Sequence, residues 1–566
     1  FDGCQGYFNS VSGSAGVLKC APWGFDELCS RKFFRCLSDA FAGAGLPALR
    51  FDYPNTVDAL DVDGDCDLDC WIRSADTAAE QLRMRSGCTT IIVLGMGVGA
   101  IVAHALASKR EDVAGLILAA PVVSGRQYLR ELSIRARVIN EGLSLRPEQL
   151  AEGVTIGGNK MPAQLAADFK QINLLKAEPV SDLKTLIVAR ENVAGDEGLA
   201  AHLSGQGSSV TRVPFHGFEK LMENPTLSVV PQDVVAAVAT WCRQNYPLET
   251  AGDRDTRSAG ETEPLSTEEF VETAMIVRPE QPLHGVLCEP AGKSEGPVLL
   301  MLNSGYDHHG GWSRIWVRTA RTLARAGVSS FRFDFSNVGD SPAKNGVAAE
   351  VLYTDGPIED TKAVVEAIKA RTNQPVFLVG RCSGAYTAFQ SAFADEKVEG
   401  AILINQVRFI WDSDEDLHAL YETGPRPLGE YKKRAANINT LKRLFTGDID
   451  VFGVLRSLSA HAVAKVRHYL EAVLPIPTKS KAFRKECHGM FDSLNARGVP
   501  LHLICSVGDE SLEQLEMYFG SGLRGLEKYP TVSLETIPDA DHNITPDPAQ
   551  DRLVELITKV ASSYQA

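Results

Sequence analysis

Several features are scarce or missing in this 566-residue sequence. It has no apolar run long enough to cross a bilayer, and no charged-then-apolar amino terminus typical of a signal peptide. Its twelve cysteines show no metal-ligand spacing, and the nearest pair, Cys66 and Cys70, is interpreted as two free thiols in a loop. Basic residues are outnumbered by acidic ones, 57 to 72, which disfavours nucleic acid as a partner. We therefore expect a cytoplasmic protein without membrane or nucleic-acid partners.

The length and the order of predicted elements indicate more than one α/β domain. A chain of 566 residues is too long for a single hydrophobic core. In the first half, short β-rich runs such as 48–53, 89–95 and 114–120 alternate with longer helix-compatible segments. Alternation of this kind predicts a mostly parallel sheet with helices on both faces.

The second half repeats landmarks of the first half. The segment 49–53 (Leu-Arg-Phe-Asp-Tyr) matches 331–335 (Phe-Arg-Phe-Asp-Phe), and each follows a helical run that ends in Ala-Gly. The runs 91–99 and 113–118 match 376–384 and 398–403 in the same order and at nearly the same spacing. These matches predict two tandem copies of one fold.

The sequence predicts a division of the chain into two domains joined by a linker. We expect a first domain over 1–246, a linker over 247–263 and a second domain over 264–566. The linker is polar and nearly free of large apolar groups, so it cannot bury enough surface to fold alone. In the second domain, the region of about 406–498 is too long for one crossover helix between two strands, which predicts a cap.

The segment 376–386 has the pattern of a nucleophile elbow. A β-branched and aromatic run stops at Gly380, a second glycine follows at Gly384, and a helix-compatible stretch continues to 394. Such a strand-to-helix turn presents its central side chain, here Cys382, above the edge of the sheet. The matching residue of the first half is Gly97, which has no side chain that could act as a nucleophile. A buried, inert cysteine is the alternative for an isolated motif.

Two residues later in the chain are candidate partners of the nucleophile in a catalytic triad. A strand-like run over 500–507 precedes Asp509, and another over 531–538 precedes His542. Nucleophile, acid and histidine in this order predict a triad of Cys382, Asp509 and His542. His216 lies near the matching place in the first half, but without a nucleophile it is expected to be a surface or interface residue. The first half is therefore predicted to be structural, as a partner surface or one wall of the active-site cleft.

These motifs resemble the α/β-hydrolase superfamily, and both halves look like members. A cysteine elbow with Asp and His partners is similar to the sites of dienelactone hydrolases and polyhydroxyalkanoate synthases. The segments 22–25, 333–341 and 382–386 also look like bacterial α/β-hydrolases that accompany acyl-activating enzymes and carrier proteins. The resemblance implies a helical cap insertion in each domain. Gly97 departs from the pattern, which puts any activity of the first half in doubt.

The same resemblance implies which groups surround the reacting carbonyl. The N–H groups of Ser383 and Tyr306 are expected to form the oxyanion hole, with Gly305 allowing close approach. Ser383 is rejected as the nucleophile because the elbow directs its third position, not its fourth, into the site. Arg381 and His308 are assigned to substrate binding, although a solvated or locally hydrogen-bonded pair of His308 and His309 is an equal alternative.

A cysteine nucleophile favours acyl transfer as the function. A thiolate attacks a carbonyl carbon readily, and the resulting thioester reacts better with amines and thiols than with water. We expect an acyltransferase that moves an acyl group from a carrier-protein or coenzyme A thioester to an amine, alcohol or thiol. A thioesterase or other hydrolase with the same triad is one alternative, and a non-catalytic interaction protein is another. No metal or organic cofactor is implied, and the oligomeric state is left open.

Charge is unevenly distributed along the chain. The segment 426–485 carries a net charge of +9, whereas the whole chain carries −15. Such a basic cap would steer an anionic thioester, such as phosphopantetheine, coenzyme A or an acidic carrier protein, towards Cys382. We assign Lys432, Lys433 and Arg434 to substrate binding. A solvated helix face is the alternative for such a run of charges.

Overall fold

The chain divides into two structural units, each built from more than one segment. The structure, a computed structural model, describes residues 1–11, 13–62, 66–150, 153–178, 180, 182–246, 263–344, 350–415, 417 and 478–565. The first unit contains Phe1–Glu295 and Gly305–Val351, and the second contains Gly296–Ser304 and Leu352–Gln565. The predicted second domain, 264–566, thus contributes segments to both units. Of the predicted linker, all residues but Glu263 lie outside the described residues.

The first unit is built around a seven-stranded sheet. Its strands, with a separate short pair β6 and β7, are β1 (Gly6–Asn9), β2 (Ala15–Cys20), β3 (Ala48–Phe51), β4 (Thr90–Met96), β5 (Val113–Ala119), β6 (Thr155–Ile156), β7 (Asn159–Lys160), β8 (Lys184–Ala189) and β9 (Ser209–Pro214). The strand order is β1-β3-β2-β4-β5-β8-β9. Among the described strands of this sheet, only β1, which pairs with β3, is antiparallel to its neighbour.

Within the residues that the structure describes, eight α-helices accompany this sheet. They are α1 (Phe25–Gly43), α2 (Leu68–Ser86), α3 (Gly99–Lys109), α4 (Gly125–Gly142), α5 (Ala163–Gln171), α6 (Ala194–Gly205), α7 (Phe218–Met222) and α8 (Gln232–Asn245). Helix α2 shows how local sequence sets the limits. The carboxylate of Asp67 accepts a hydrogen bond from the N–H of Cys70 at its start, and Gly87 ends it with a left-handed φ of 71°. Both Cys66 and Cys70 are free thiols, but the prediction of a loop was wrong for Cys70.

The first unit also contains a second set of strands. Its members, with one helix, are β10 (Leu265–Ser266), β11 (Phe270–Val277), β12 (Leu283–Pro290), α9 (Ile315–Arg325) and β14 (Ser330–Phe333). Strands β10, β11, β12 and β14 pair in that order, and each pair is antiparallel.

The second unit contains a parallel sheet of five strands. They are β13 (Val298–Met301), β15 (Val376–Arg381), β16 (Val398–Ile404), β17 (Leu501–Ser506) and β18 (Val532–Ile537), paired in that order. In the described part of this unit the α-helices are α10 (Asp355–Thr372), α11 (Ser383–Ala394), α12 (Lys479–Ala496), α13 (Glu510–Phe519) and α14 (Asp547–Ser562). The carboxyl ends of parallel strands meet at one sheet edge, so the residues after β15, β17 and β18 can converge.

Burial explains why these runs become central strands. Residues 91–94 of β4 and 376–379 of β15 are at most 2% exposed, as expected for parallel strands covered on both faces. The prediction of an α/β protein with mostly parallel sheets is confirmed. The first domain was predicted to carry a helical cap insertion, without a stated position, and helices α4 and α5 lie between β5 and β8. Of the predicted cap at 406–498, residues 416 and 418–477 lie outside the described residues.

Candidate active site

The nucleophile elbow begins where β15 ends. Cys382 has φ 54° and ψ −120°, a strained backbone for a residue with a side chain, and α11 starts at the next residue. Its N–H donates to the carbonyl of Ile404 on the neighbouring strand over 2.9 Å. A Cβ atom on Gly380 would collide with the carbonyl oxygen of Gly384, and one on Gly384 would collide with that of Asn303. Both glycines are therefore needed for the tight turn.

The predicted acid and histidine are hydrogen-bonded to each other. Asp509 follows β17 and caps α13, where one carboxylate oxygen accepts from the N–H of Ser511 over 2.9 Å. Its other oxygen lies 2.9 Å from Nδ1 of His542, which follows β18. Burial raises the pKa of Asp509, but the charge and hydrogen bond of His542 and the bonds from Ser511 lower it below its ordinary value.

His542 also hydrogen-bonds to Cys382, so hydrogen bonds link all three side chains through the histidine. Burial raises the pKa of the Cys382 thiol, whereas the charge and hydrogen bond of His542, the charge of Arg381 and the N–H of Ser383 lower it. Together these effects place the pKa of the Cys382 thiol below its ordinary value. The pKa of His542 lies well above its ordinary value because Asp509 and Cys382 outweigh burial. These shifts favour a thiolate beside an imidazolium.

Cys382 differs from nine of the other cysteines in the direction of its pKa shift. It is half-buried, and its pKa is lowered. Burial raises the pKa of nine other thiols, which are Cys4, Cys20, Cys29, Cys66, Cys88, Cys242, Cys288, Cys487 and Cys505. A low thiol pKa with partial exposure is the property of a reactive cysteine.

A buried asparagine that the sequence analysis missed supports the histidine loop. Asn405, at the end of β16, donates through its amide to the carbonyl of His542 over 2.8 Å and to Oγ of Ser506 over 2.9 Å. Its carbonyl oxygen accepts from the N–H of Ser506 over 2.7 Å. Ser506 in turn donates from Oγ to the carbonyl of Asp541 over 3.0 Å. Asn405 therefore joins the strand before Asp509 to the backbone that carries His542.

We expect Asn405→Ala to lower kcat on the order of 10- to 100-fold with little change in KM. Loss of the amide frees the His542 backbone, and a small misplacement of a catalytic group has an effect of this size. Steady-state kinetics, with a thermal melt to verify folding, measure it. Asn495→Ala is a matched control, because Asn495 accepts from Thr531 elsewhere in the same unit. Equal losses in both variants would contradict a positioning role for Asn405.

Arg381 has partners within the second unit. It is 3% exposed, and one guanidinium nitrogen donates to the side-chain oxygen of Asn543. The charge of Arg381 lowers the pKa of both Cys382 and the neighbouring Asp541, although burial leaves the pKa of Asp541 above its ordinary value. Arg381 thus acts on the electrostatics of the thiol, and its assignment to substrate binding stays a prediction.

The two predicted oxyanion donors belong to different units. Ser383 starts α11, and its N–H hydrogen-bonds to Cys382. Tyr306 belongs to the first unit, where its hydroxyl donates to Glu350 over 3.0 Å and Lys32 lies 5.6 Å from its ring centroid. Gly305 has a φ of 60°, and a Cβ there would lie 2.7 Å from Oγ1 of Thr226. The role of Tyr306 and Gly305 at the carbonyl stays a prediction.

The histidine pair after β13 is buried and hydrogen-bonded. His308 is 4% exposed, and its Nε2 lies 3.2 Å from Glu27 while its Nδ1 accepts from the N–H of Gly310. His309 is 1% exposed and lies between two carboxylates. Both rings fit the alternative of a locally hydrogen-bonded pair better than direct substrate contact by His308.

The elbow of the first half has the same turn without its nucleophile. Gly97 has φ 58°, and β4 precedes it as β15 precedes Cys382. His216 follows β9, and its exposed ring lies 3.4 Å from Asp233 and 3.7 Å from Glu191. The prediction that His216 is a surface residue is confirmed.

Only part of the predicted basic cap can be placed. Lys432, Lys433 and Arg434 lie outside the described residues. In α12, Lys479 forms an ion pair with Asp412 over 3.1 Å, and Arg484 donates to the carbonyl of Tyr518 over 3.0 Å. Two of the cations counted in the basic segment therefore already have partners in the protein.

One group of described side chains has the spacing of metal ligands. Donor atoms of His309, Asp334 and Asp340 lie within 4.8 Å of one another. However, Asp340 already binds the guanidinium groups of Arg31 and Arg50, and Asp334 binds His309. Protein cations thus occupy the place that a metal ion would take.

A known protein family matches most of the second half of the chain. Residues 299–556 match the family described as the alpha/beta hydrolase family. A Pyrococcus furiosus esterase is 16% identical, with 52% of this chain and 92% of that chain covered and a TM-score of 0.33. A dienelactone hydrolase from Anabaena variabilis is 14% identical, with coverages of 53% and 100% and a TM-score of 0.31. No curated protein matches the chain significantly. Among the described residues, no helix is both long and apolar enough to span a membrane.

Proposed function

We propose that the second half of the chain, whose residues 299–556 match the alpha/beta hydrolase family, is an acyl-transferring enzyme that works through a thioester on Cys382. The family match indicates an enzyme of the hydrolase type. The observation that supports covalent catalysis is the contact of Cys382 with His542, which lowers the pKa of this one thiol while burial raises that of nine others.

In the first half-reaction, the Cys382 thiolate attacks the carbonyl carbon of an acyl-thioester. The carbonyl electrons move to oxygen, and the N–H of Ser383 would donate to this oxyanion, where one donor contributes about 3 kcal/mol. When the intermediate collapses, the bond to the leaving thiolate breaks and protonated His542 supplies its proton. The products are an acyl-thioester on Cys382, a free thiol and neutral His542.

In the second half-reaction, His542 removes a proton from the acceptor as the acceptor attacks the acyl carbon. An amine, alcohol or thiol can serve, and the Cys382 thiolate leaves. Asp509 keeps the Nδ1 proton of His542 in place and stabilises the imidazolium, because its carboxylate accepts that hydrogen bond. Exchange between two thioesters is close to thermoneutral, so loading from a carrier protein or coenzyme A would be reversible.

Intact-mass analysis with a panel of acyl-coenzyme A and acyl-N-acetylcysteamine thioesters tests this proposal. We expect a mass increase equal to the acyl group, located on Cys382 by peptide mapping. Adding primary amines should discharge the adduct faster than buffer alone and yield the amide. If water discharged the adduct as fast as every acceptor offered, the enzyme would be a thioesterase. If no thioester formed an adduct or turned over, the proposed function would be wrong.

A further inference from the structure

Two loops at corresponding places in the two halves have the same backbone shape. One follows β3 and the other follows β14, and they begin at Asp52 and Asp334. In the first loop, Asn55 and Val57 have φ values of 65° and 37°; in the second, Asn337 and Gly339 have 71° and 46°. Positive φ at non-glycine residues is uncommon, so a shared pattern at the same spacing is informative.

The contacts of these loops with the neighbouring strands also correspond. The N–H of Asp52 donates to the carbonyl of Gln5, beside β1, and the N–H of Asp334 donates to that of His284 in β12, each over 2.9 Å. β1 and β12 are both antiparallel to the strand that precedes the loop. Six residues after the first aspartate, each loop carries a second one, which is Asp58 or Asp340.

The arginines of the two strands exchange partners between the halves. Arg50 of β3 binds Asp340 over 2.6 Å, and Arg332 of β14 binds Asp58 over 2.9 Å. All four side chains are at most 5% exposed. Each strand arginine thus binds the second aspartate of the other half. Such reciprocity, in which residue i contacts j and j contacts i, is the mark of an interface between two copies of one fold.

A second exchange lies beside the first. Arg31 binds Asp52 of its own half over 2.9 Å and Asp340 of the other half over 3.0 Å. His309 binds Asp334 of its own half over 2.8 Å and Asp58 of the other half over 2.6 Å. The two cations differ chemically, but each bridges the first aspartate of its own half to the second aspartate of the other.

We propose that residues 1–246 act as a permanently attached second subunit, held by these exchanged ion pairs to residues 263–344 of the other half. The partner that this face fits is a second copy of the same fold, and the chain supplies it. Separation of the halves would break the ion pairs of Asp58 with Arg332 and His309 and those of Asp340 with Arg31 and Arg50. Removing one partner of a buried ion pair is strongly unfavourable. The association is therefore expected to persist without the covalent connection.

Cutting the connection in the full-length protein tests the proposal. A specific protease site inserted between Asp253 and Arg254 places the cut in the polar segment between the halves. After complete cleavage, both fragments should elute together in size-exclusion chromatography at the volume of the uncut 61.3 kDa chain. Elution of the fragments apart, or aggregation of either one after cleavage, would overturn the proposal.

Amide variants test whether the exchanged pairs hold the fragments. Asp58→Asn and Asp340→Asn occupy corresponding positions and keep the side-chain size. In the cleaved, fluorescently labelled protein, each variant should raise the rate at which the two fragments dissociate on the order of 100-fold. The reason is that each removes a carboxylate that neutralises a buried cation. Asp112→Asn is the matched control, because Asp112 binds Arg110 within the first half. This control should change the rate less than twofold.

Two outcomes would contradict reciprocal exchange. One is an equal effect of all three amide variants, and the other is an effect of only one of Asp58→Asn and Asp340→Asn. If an amide variant fails to fold, Arg50→Lys and Arg332→Lys provide the same comparison. They keep the charge but lose the planar geometry of the guanidinium group. Each of these two lysine variants should again accelerate dissociation of the fragments. An unchanged dissociation rate in both variants would overturn the proposal.

Discussion

Cys382→Ala should abolish both the acyl adduct and turnover, with kcat reduced on the order of 10⁴-fold or more. The elbow places this thiol beside His542, whose charge and hydrogen bond lower the pKa of Cys382, and alanine has no group that can form the thioester. Intact-mass analysis and steady-state kinetics with the thioester that loads best measure both effects. Cys36→Ala is a control for a half-buried thiol on α1 of the first unit and should retain normal activity.

The pH dependence of alkylation checks the state of the same thiol. Because His542 lowers the pKa of Cys382, iodoacetamide should modify Cys382 at a pH below that needed for an ordinary thiol. In His542→Ala the burial effect remains without the opposing charge, so the midpoint should move to higher pH. Near-normal turnover in Cys382→Ala would remove the covalent mechanism, whatever the alkylation profile.

Asp509→Asn should reduce kcat on the order of 10³-fold while leaving the fold intact. An amide can donate to Nδ1 of His542, which stabilises the wrong tautomer, and it cannot balance the imidazolium charge. Asparagine also caps helices well, so α13 should still start at the same residue. Kinetics together with a thermal melt separate the loss of chemistry from a loss of stability.

Asp492→Asn is the matched control for that variant. Asp492 is an exposed carboxylate in the same unit and forms an ion pair with Lys528. Its change should alter kcat less than twofold, because exposed pairs contribute little. If Asp509→Asn were kinetically silent as well, the acid of the triad would be misassigned.

On our proposal, the first half has a role in association that does not require a nucleophile of its own. Its elbow keeps the backbone turn at Gly97, and its histidine is exposed beside two acids. The large buried charge network contains Asp52 and Asp58 from this half and Asp334 and Asp340 from the other. On our proposal, selection at these positions would act on association rather than on chemistry.

The sequence by itself was sufficient for the class of fold and the position of the elbow. β-branched runs that end at glycine mark buried strands and tight turns, and these are local properties of a few residues. The α/β class was confirmed, and the structure brings Cys382, Asp509 and His542 together, as their order after successive strands suggested. Chain order was informative because parallel strands bring their carboxyl ends to one edge of the sheet.

Only the tertiary structure decided which polar residues support that site and which hold the halves together. Asn405 belongs to no sequence motif. Its contact with the backbone of His542 appears only in the folded chain, where β16 and β17 lie beside the loop that carries His542. The exchange between Arg50 and Asp340 joins residues 290 positions apart, which no local pattern predicts. The sequence alone allowed His308 and His309 to contact a substrate. In the structure both rings are buried, and each lies beside a carboxylate of the first half. Local sequence determines backbone conformation, whereas the pairing of buried charges depends on which distant segments the folded chain brings together.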